Sequence, residues 1–317
     1  MERLSGKYSL NQRVGKGTFG EVFSVEEKNI AKSSTGALHV LPRVAKIQKR
    51  SKKRDVMLEN EVRAMIDLSG KGVIPQLYEV MKDDENHIIV MEHVKGLTGK
   101  ALFDTRSHSL TSKRLMGLVE ALCTLEENHI VHNDLTPNNI IEKKNGDHII
   151  IDYGLSYLDA WEGGYIPETK KAGAIGTLMY ASPQNLDKYP QKTSDIWSFG
   201  VIAYWALTKQ FPFGRNAMTR QAHAIEWFSK NNDVCAGKRH IPNHYLQKIQ
   251  EETIRGIRHE INIKCIDDNC KSLISIMKDA GVCSEGISMI LKCLEVDPIE
   301  RMQASELVNH PFFRHYL

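Results

Sequence analysis

The sequence predicts an α+β fold: a small, mostly antiparallel sheet carrying one main helix, then a larger, mostly helical part, the two packed around one cleft. The length is the first observation. A chain of 317 residues exceeds the commonest single domain and suits two lobes sharing a cleft. The second is the texture of the first third, where short apolar stretches such as YSLNQRVG, GEVFSVEE, LPRVAKI, QLYEVMK and HIIVMEHV alternate with glycines, as strands do. The third is a change after Gly96: Leu115, Leu118, Val119, Leu122 and Leu125 recur at three and four residues, the period of a helix.

Each element has its own signal. In RDVMLENEVRAMIDL, the residues Val56, Met57, Val62, Met65, Ile66 and Leu68 fall at helical spacing among charges, which predicts one amphipathic helix packed on the sheet. NNIIEKK and HIIIDYG flank the dipeptide Asn145-Gly146, a favoured turn, and read as a small hairpin. SDIWSFGVIAYWALTK is apolar almost all round, as a helix at the centre of a domain would be. The stretch from Asn216 to Gly286 shows helical patterns but carries no motif.

Composition narrows the function classes. With 41% hydrophobic residues, 26% charged residues and 10 prolines, this is an ordinary globular chain. Forty-two basic against 39 acidic residues leave +3, too little to imply a nucleic-acid partner. No apolar run approaches the roughly 18 residues of a membrane span. The six cysteines form no CxxC pair and match no zinc-finger spacing, and the start MERLSGKYSL has no apolar signal segment. An intracellular protein of the cytoplasm, the nucleus or both is expected.

The chemistry begins at VGKGTFGEV, where Val14, Gly15, Lys16, Gly17, Thr18, Gly20 and Val22 form a glycine-rich hairpin. Its backbone N–H groups can come close to phosphates, although such a hairpin taken alone is more often just a turn. Lys46 follows in VAKI, and fifteen residues on Glu61 lies on the inward edge of the amphipathic helix, one turn before Met65. A bridge between them would aim the ammonium at phosphate oxygens; Glu59 is the rival partner. In HIVHNDLTPNNIIEKKNGDHIIIDYGLS, the residues His132, Asp134, Asn139 and Asp152 bracket the hairpin. Phosphoryl transfer needs such a set: a carboxylate to orient the incoming hydroxyl, Asp134, and hard oxygen ligands for magnesium, Asn139 and Asp152.

These residues resemble the HRDxxxxN and DFG elements of protein kinases. The resemblance runs on through ASPQ, similar to the APE element, SDIWSFGV, and DPIERMQASELVNHPFF. It implies a bilobal kinase fold, with residues 1–92 as the small lobe and 93–317 as the large one, ATP and Mg2+ as cofactors, and protein substrates. By the same resemblance Lys46, Glu61 and Asp134 are catalytic. Met91 is the gatekeeper, the Glu92 carbonyl and Val94 amide take the adenine edge, and Val22, Ala45 and Ile141 sandwich the ring. Met65, Leu77, His132 and Tyr153 would stack in one hydrophobic column.

The pattern is broken at several points. Asn133 replaces the HRD arginine that clamps an activation-loop phosphate, so activity without phosphorylation of that loop is expected, despite Ser156, Tyr157, Thr169 and Thr177 within it. Thr136 stands where a lysine would reach the γ-phosphate, and Gln184 replaces the acid expected to pair with Arg301. Tyr153 for phenylalanine is mild. Thr177 in GTLMYASP resembles the threonine that serine/threonine kinases place beside the acceptor site. The basic run KRSKKR, residues 49–54, reads as a nuclear address, an anion site or a solvated loop. The competing readings are a pseudokinase, usually marked by loss of the lysine or a metal carboxylate, and a small-molecule kinase. Retention of Lys46, Asp134, Asn139 and Asp152 favours catalysis, and GTLMYASP looks like a peptide platform.

Overall fold

Period-two alternation in the first third becomes a five-stranded antiparallel sheet: β1 (Tyr8–Gly17), β2 (Gly20–Glu27), β3 (Arg43–Lys49), β4 (Leu77–Lys82) and β5 (Asn86–Glu92), in the order β1-β2-β3-β5-β4. This computed structural model describes residues 6–17, 20–28, 42–158, 176–231 and 243–314. Thr18 and Thr169 lie outside the described residues.

Along β3 and β5 the sheet buries side chains on both faces, and alternation sorts them between the two. Ala45, Ile88 and Val90 join Tyr8, Val25 and Met81 in a small core on one face, while Ile89 and Met91 pack with the main core on the other. At Gly20 a side chain would collide with the carbonyl of Ile47 on β3, so only glycine lets the strands approach there.

The amphipathic helix, α1 (Lys52–Asp67), starts at Ser51, whose hydroxyl accepts from the N–H of Arg54 at 3.3 Å, an N-cap. Its buried stripe is Met57, Leu58, Glu61, Ala64 and Met65. Two residues expected inside are not: Val56 is 46% and Ile66 60% exposed. The inward stripe is centred on Glu61, a charge that a reading of apolar residues passes over, so the expected face was rotated toward its edges.

The rest is mainly helical. After β6 (Leu97–Thr98) and the short α2 (Lys100–Phe103) comes α3 (His108–Glu127), capped by Ser107 and burying Leu115, Leu118, Val119, Leu122 and Leu125 as its periodicity demands. β7 (Ile130–Val131) pairs with β10 (Tyr157–Leu158), and β6 joins the hairpin β8 (Ile140–Glu142) and β9 (His148–Ile150), which turns at Gly146 with φ 95°. Beyond α4 (Pro183–Leu186), the apolar α5 (Ser194–Thr208) is buried along its length except at Trp205. The stretch without a motif holds α6 (Arg215–Asn231), α7 (Asn243–Ile261), a π-helical turn at Asn262–Asp267 and α8 (Lys271–Asp279). The chain closes with α9 (Ser284–Cys293) and α10 (Ala304–Leu307). Among the described residues no helix is long and apolar enough to cross a membrane.

Candidate active site

A cleft of about 370 Å3 lies between the sheet and the helical part. Its walls bring together Val14, Gly15 and Val22 from the glycine-rich hairpin and Lys46 and Glu61 from β3 and α1. Met91, Glu92 and Val94 line it at the end of β5, and Asn139, Ile141 and Asp152 come from the segments flanking the β8–β9 hairpin. Gly17 and Gly20 pair at the facing ends of β1 and β2, and Lys16 pairs with Glu21 at 3.7 Å; neither Lys16 nor Gly20 lines the cleft.

Ala45 is not in the cleft, which corrects the adenine sandwich expected from the sequence. On a strand, neighbours of Lys46 point away from it, and Ala45 lies in the small core on the opposite face. Val44 shares the face of Lys46 and lines the cleft in its place. The signal was available in period two alone: a wall beside Lys46 has to come from an even-numbered position of β3.

Lys46 is the electrostatic centre. Its Nζ lies 2.6 and 2.7 Å from the two oxygens of Glu61 and 2.8 Å from Asp152 Oδ1. Burial pulls the pKa of this ammonium down, but the two carboxylates more than offset that and hold it above the usual lysine value. Burial likewise pushes Glu61 up, with Lys46 opposing, whereas on Asp152 the pull of Lys46 outweighs burial and keeps the carboxyl below its usual range. Glu59, the rival partner, is exposed.

Asp134 lies on the loop between β7 and β8. Its Oδ1 accepts from the backbone N–H of Thr177 at 2.7 Å and from the Thr177 hydroxyl at 2.8 Å. Burial raises the pKa of Asp134 and the Thr177 hydroxyl opposes the rise. Asn139 Nδ2 donates to the Asp134 carbonyl at 2.8 Å, which ties the loop to the residue before β8. The loop itself hangs on Asp195 of α5, whose carboxylate accepts from the N–H of His132 at 2.6 Å and of Asn133 at 2.9 Å. Asp195 escaped the sequence reading, although an aspartate inside the apolar SDIWSFGV is itself a signal, since a buried carboxylate needs donors.

Of the expected hydrophobic column, the contact between the rings of Tyr153 and His132 is present, edge-on at 4.8 Å; Met65 and Tyr153 belong to the main core and Leu77 packs against that core. Gln184 Oε1 accepts from Arg301 Nη2 at 2.9 Å, so an amide stands where the ion-pair partner would be.

A family model described as the protein kinase domain matches residues 8–313 of this chain, nearly its whole length. The chain belongs to the protein kinase family. The kinase is 33% identical over 215 residues to calcium-dependent protein kinase 6 of Plasmodium berghei (strain Anka), a match covering 66% of this chain and 13% of that protein. It is 31% identical over 217 residues to calcium/calmodulin-dependent protein kinase type 1 of Caenorhabditis briggsae, covering 65% and 56%. With the serine/threonine-protein kinase cds1 of Schizosaccharomyces pombe (strain 972 / ATCC 24843) it shares 27% over 320 residues, covering 96% of this chain and 58% of the relative. The kinase thus spans between 13% and 58% of the length of these relatives.

Proposed function

We propose that this kinase transfers the γ-phosphoryl group of ATP to serine and threonine hydroxyls of proteins. The observation that carries the reading is the pair of hydrogen bonds from Thr177 to Asp134, at 2.7 and 2.8 Å, together with a lysine gripped by two carboxylates. Asp134 orients an incoming hydroxyl and takes up its proton, while Thr177 fixes that carboxylate against the segment on which a peptide would lie. Lys46, aimed by Glu61, places its charge on phosphate oxygens. Val22, Val44 and Ile141 close on the base, Met91 limits the depth of the cleft, and Glu92 and Val94 offer backbone groups to the adenine edge.

Protein kinases generally use magnesium with ATP, and the residues here fit it. Magnesium takes one or two protein oxygens and completes its shell with phosphates and water. The Asn139 amide spends its nitrogen on Asp134 and so has its oxygen to give, and Asp152 is a hard carboxylate. When bound, the ion neutralises charge on the phosphates.

Two of the departures shape the rate. Asn133 cannot clamp a loop phosphate, so the kinase works without one; Thr136 removes a cation from the transition state, so turnover is slower than with lysine there. A pseudokinase reading finds no support in a site whose lysine and metal carboxylate are in bonding contact.

Incubation with labelled ATP, magnesium and a mixed protein substrate, followed by phosphoamino-acid analysis, tests the proposal. Phosphoserine and phosphothreonine are expected. Label on tyrosine alone, or none, would overturn it.

A further inference from the structure

Asn133 precedes the carboxylate that receives the acceptor hydroxyl, is buried, and has a φ of 64°, a conformation asparagine tolerates better than most residues. It belongs to an uncharged network. Its Nδ2 donates to the carbonyl of Leu155, three residues past Asp152, at 3.3 Å. Its Oδ1 accepts from Asn185 Nδ2 at 3.5 Å. Asn185, also buried, accepts on its own Oδ1 from the hydroxyls of Ser182 at 3.1 Å and Ser194 at 2.8 Å, and its backbone N–H donates to Ser182 at 3.1 Å.

The network therefore joins four places: the catalytic loop, the start of the segment after Asp152, the turn that closes that segment, and the central helix α5. The same loop is where the segment docks. Gly176, at φ 72°, packs so close that a side chain there would collide with the carbonyl of Asn133, and Thr177 beside it bonds Asp134. An arginine at 133 would bring a charge into this buried site, whereas the asparagine amide finds neutral partners there.

We infer that Asn185 is a positioning residue for phosphoryl transfer: through Asn133 it latches both ends of the segment onto the catalytic loop and keeps Asp134 and Thr177 in register with no phosphate. This rests on the kinase reading above. Asn185 touches no reacting group, and neither Asn133, Ser182 nor Asn185 lines the nucleotide cleft. Loss of the latch therefore lowers turnover and leaves nucleotide binding alone, which a general loss of structure would not do.

The test is a double-mutant cycle on Asn133→Ala and Asn185→Ala, read as kcat and as KM for ATP. Each single variant is expected to lose about tenfold in kcat with KM for ATP held within about twofold, and the double variant to be no worse than the worse single one, since both break one connection. Unchanged kcat, losses that multiply, or a parallel rise in KM for ATP would overturn the inference. Amide exchange at Thr177 in the same proteins reads the latch without any turnover: exchange about tenfold faster than wild type is expected, with β3 unaffected, and wild-type exchange would contradict the latch. Transfer by the wild-type protein itself tests the kinase reading, so the two can fail separately.

Discussion

Val44 and Ala45 differ by one position and face opposite sides of β3, and their consequences differ accordingly. Ala45, fully buried with Tyr8, Val25 and Ile88, has no room for a larger side chain. Ala45→Leu is expected to cost about 1–3 kcal/mol of stability by overpacking, with KM for ATP unchanged. Val44→Ala, which removes about two carbons from the cleft wall, is expected to raise KM for ATP roughly five- to tenfold at little cost in stability. Denaturant unfolding and steady-state kinetics on the pair decide it; a rise in KM with Ala45→Leu alone would restore the register read from the sequence. The charged cluster needs no such correction: Lys46 Nζ reaches Glu61 at 2.6 Å, the bridge expected from the sequence, and Asp152 at 2.8 Å. The spacing of that motif is legible because phosphoryl transfer demands those groups, whereas a wall residue is any apolar side chain, and only strand phase tells which.

At the scale of elements, the segment ending in α4 is held by neutral groups where charges were expected. Gln184 accepts from Arg301 Nη2 at 2.9 Å and donates to the carbonyl of Val296 at 2.8 Å, so both halves of its amide are used. Arg301 is buried over the ring of Trp197, and burial pulls its pKa down to about 10. Gln184→Ala is expected to destabilise the kinase by about 1.5–3 kcal/mol, the usual worth of a hydrogen bond to a buried charge, seen as a lower urea midpoint at unchanged slope. An unaltered midpoint would mean that backbone carbonyls alone satisfy the guanidinium. The same neutrality at Asn133 sets the regulatory expectation. Phosphatase-treated kinase should keep its activity to within tenfold, about 1.4 kcal/mol of barrier. A larger loss, restored by incubation with ATP, would mean that a phosphate is read by another cation, with Lys52, Lys53 and Arg54 the first to replace. The helix α1 shows why elements were easier to find than to orient: its existence followed from periodicity, but its inward face is centred on a glutamate.

Across the whole molecule, the legible parts were those where chemistry or burial leaves few choices of residue. The sheet with one helix, the helical remainder, the hairpin at Asn145-Gly146 and the buried α5 all appear where the patterns placed them. What could not be read depends on partners far apart in the chain. Asp195 matters because it lies under the amides of His132 and Asn133, some sixty residues before it, and Asn185 because it reaches Asn133. No local pattern encodes such contacts. The helices between Asn216 and Gly286 likewise carry no motif, and only their helical periodicity was legible. The central claim is that Asp134 receives the hydroxyl of a serine or threonine while the Lys46 cluster holds the nucleotide. Comparing single-turnover transfer to a serine-containing protein by wild type and by Asp134→Asn tests it most directly. The account expects the variant to lose about 10²- to 10⁴-fold in rate with ATP binding intact. Transfer by Asp134→Asn at the wild-type rate would contradict it.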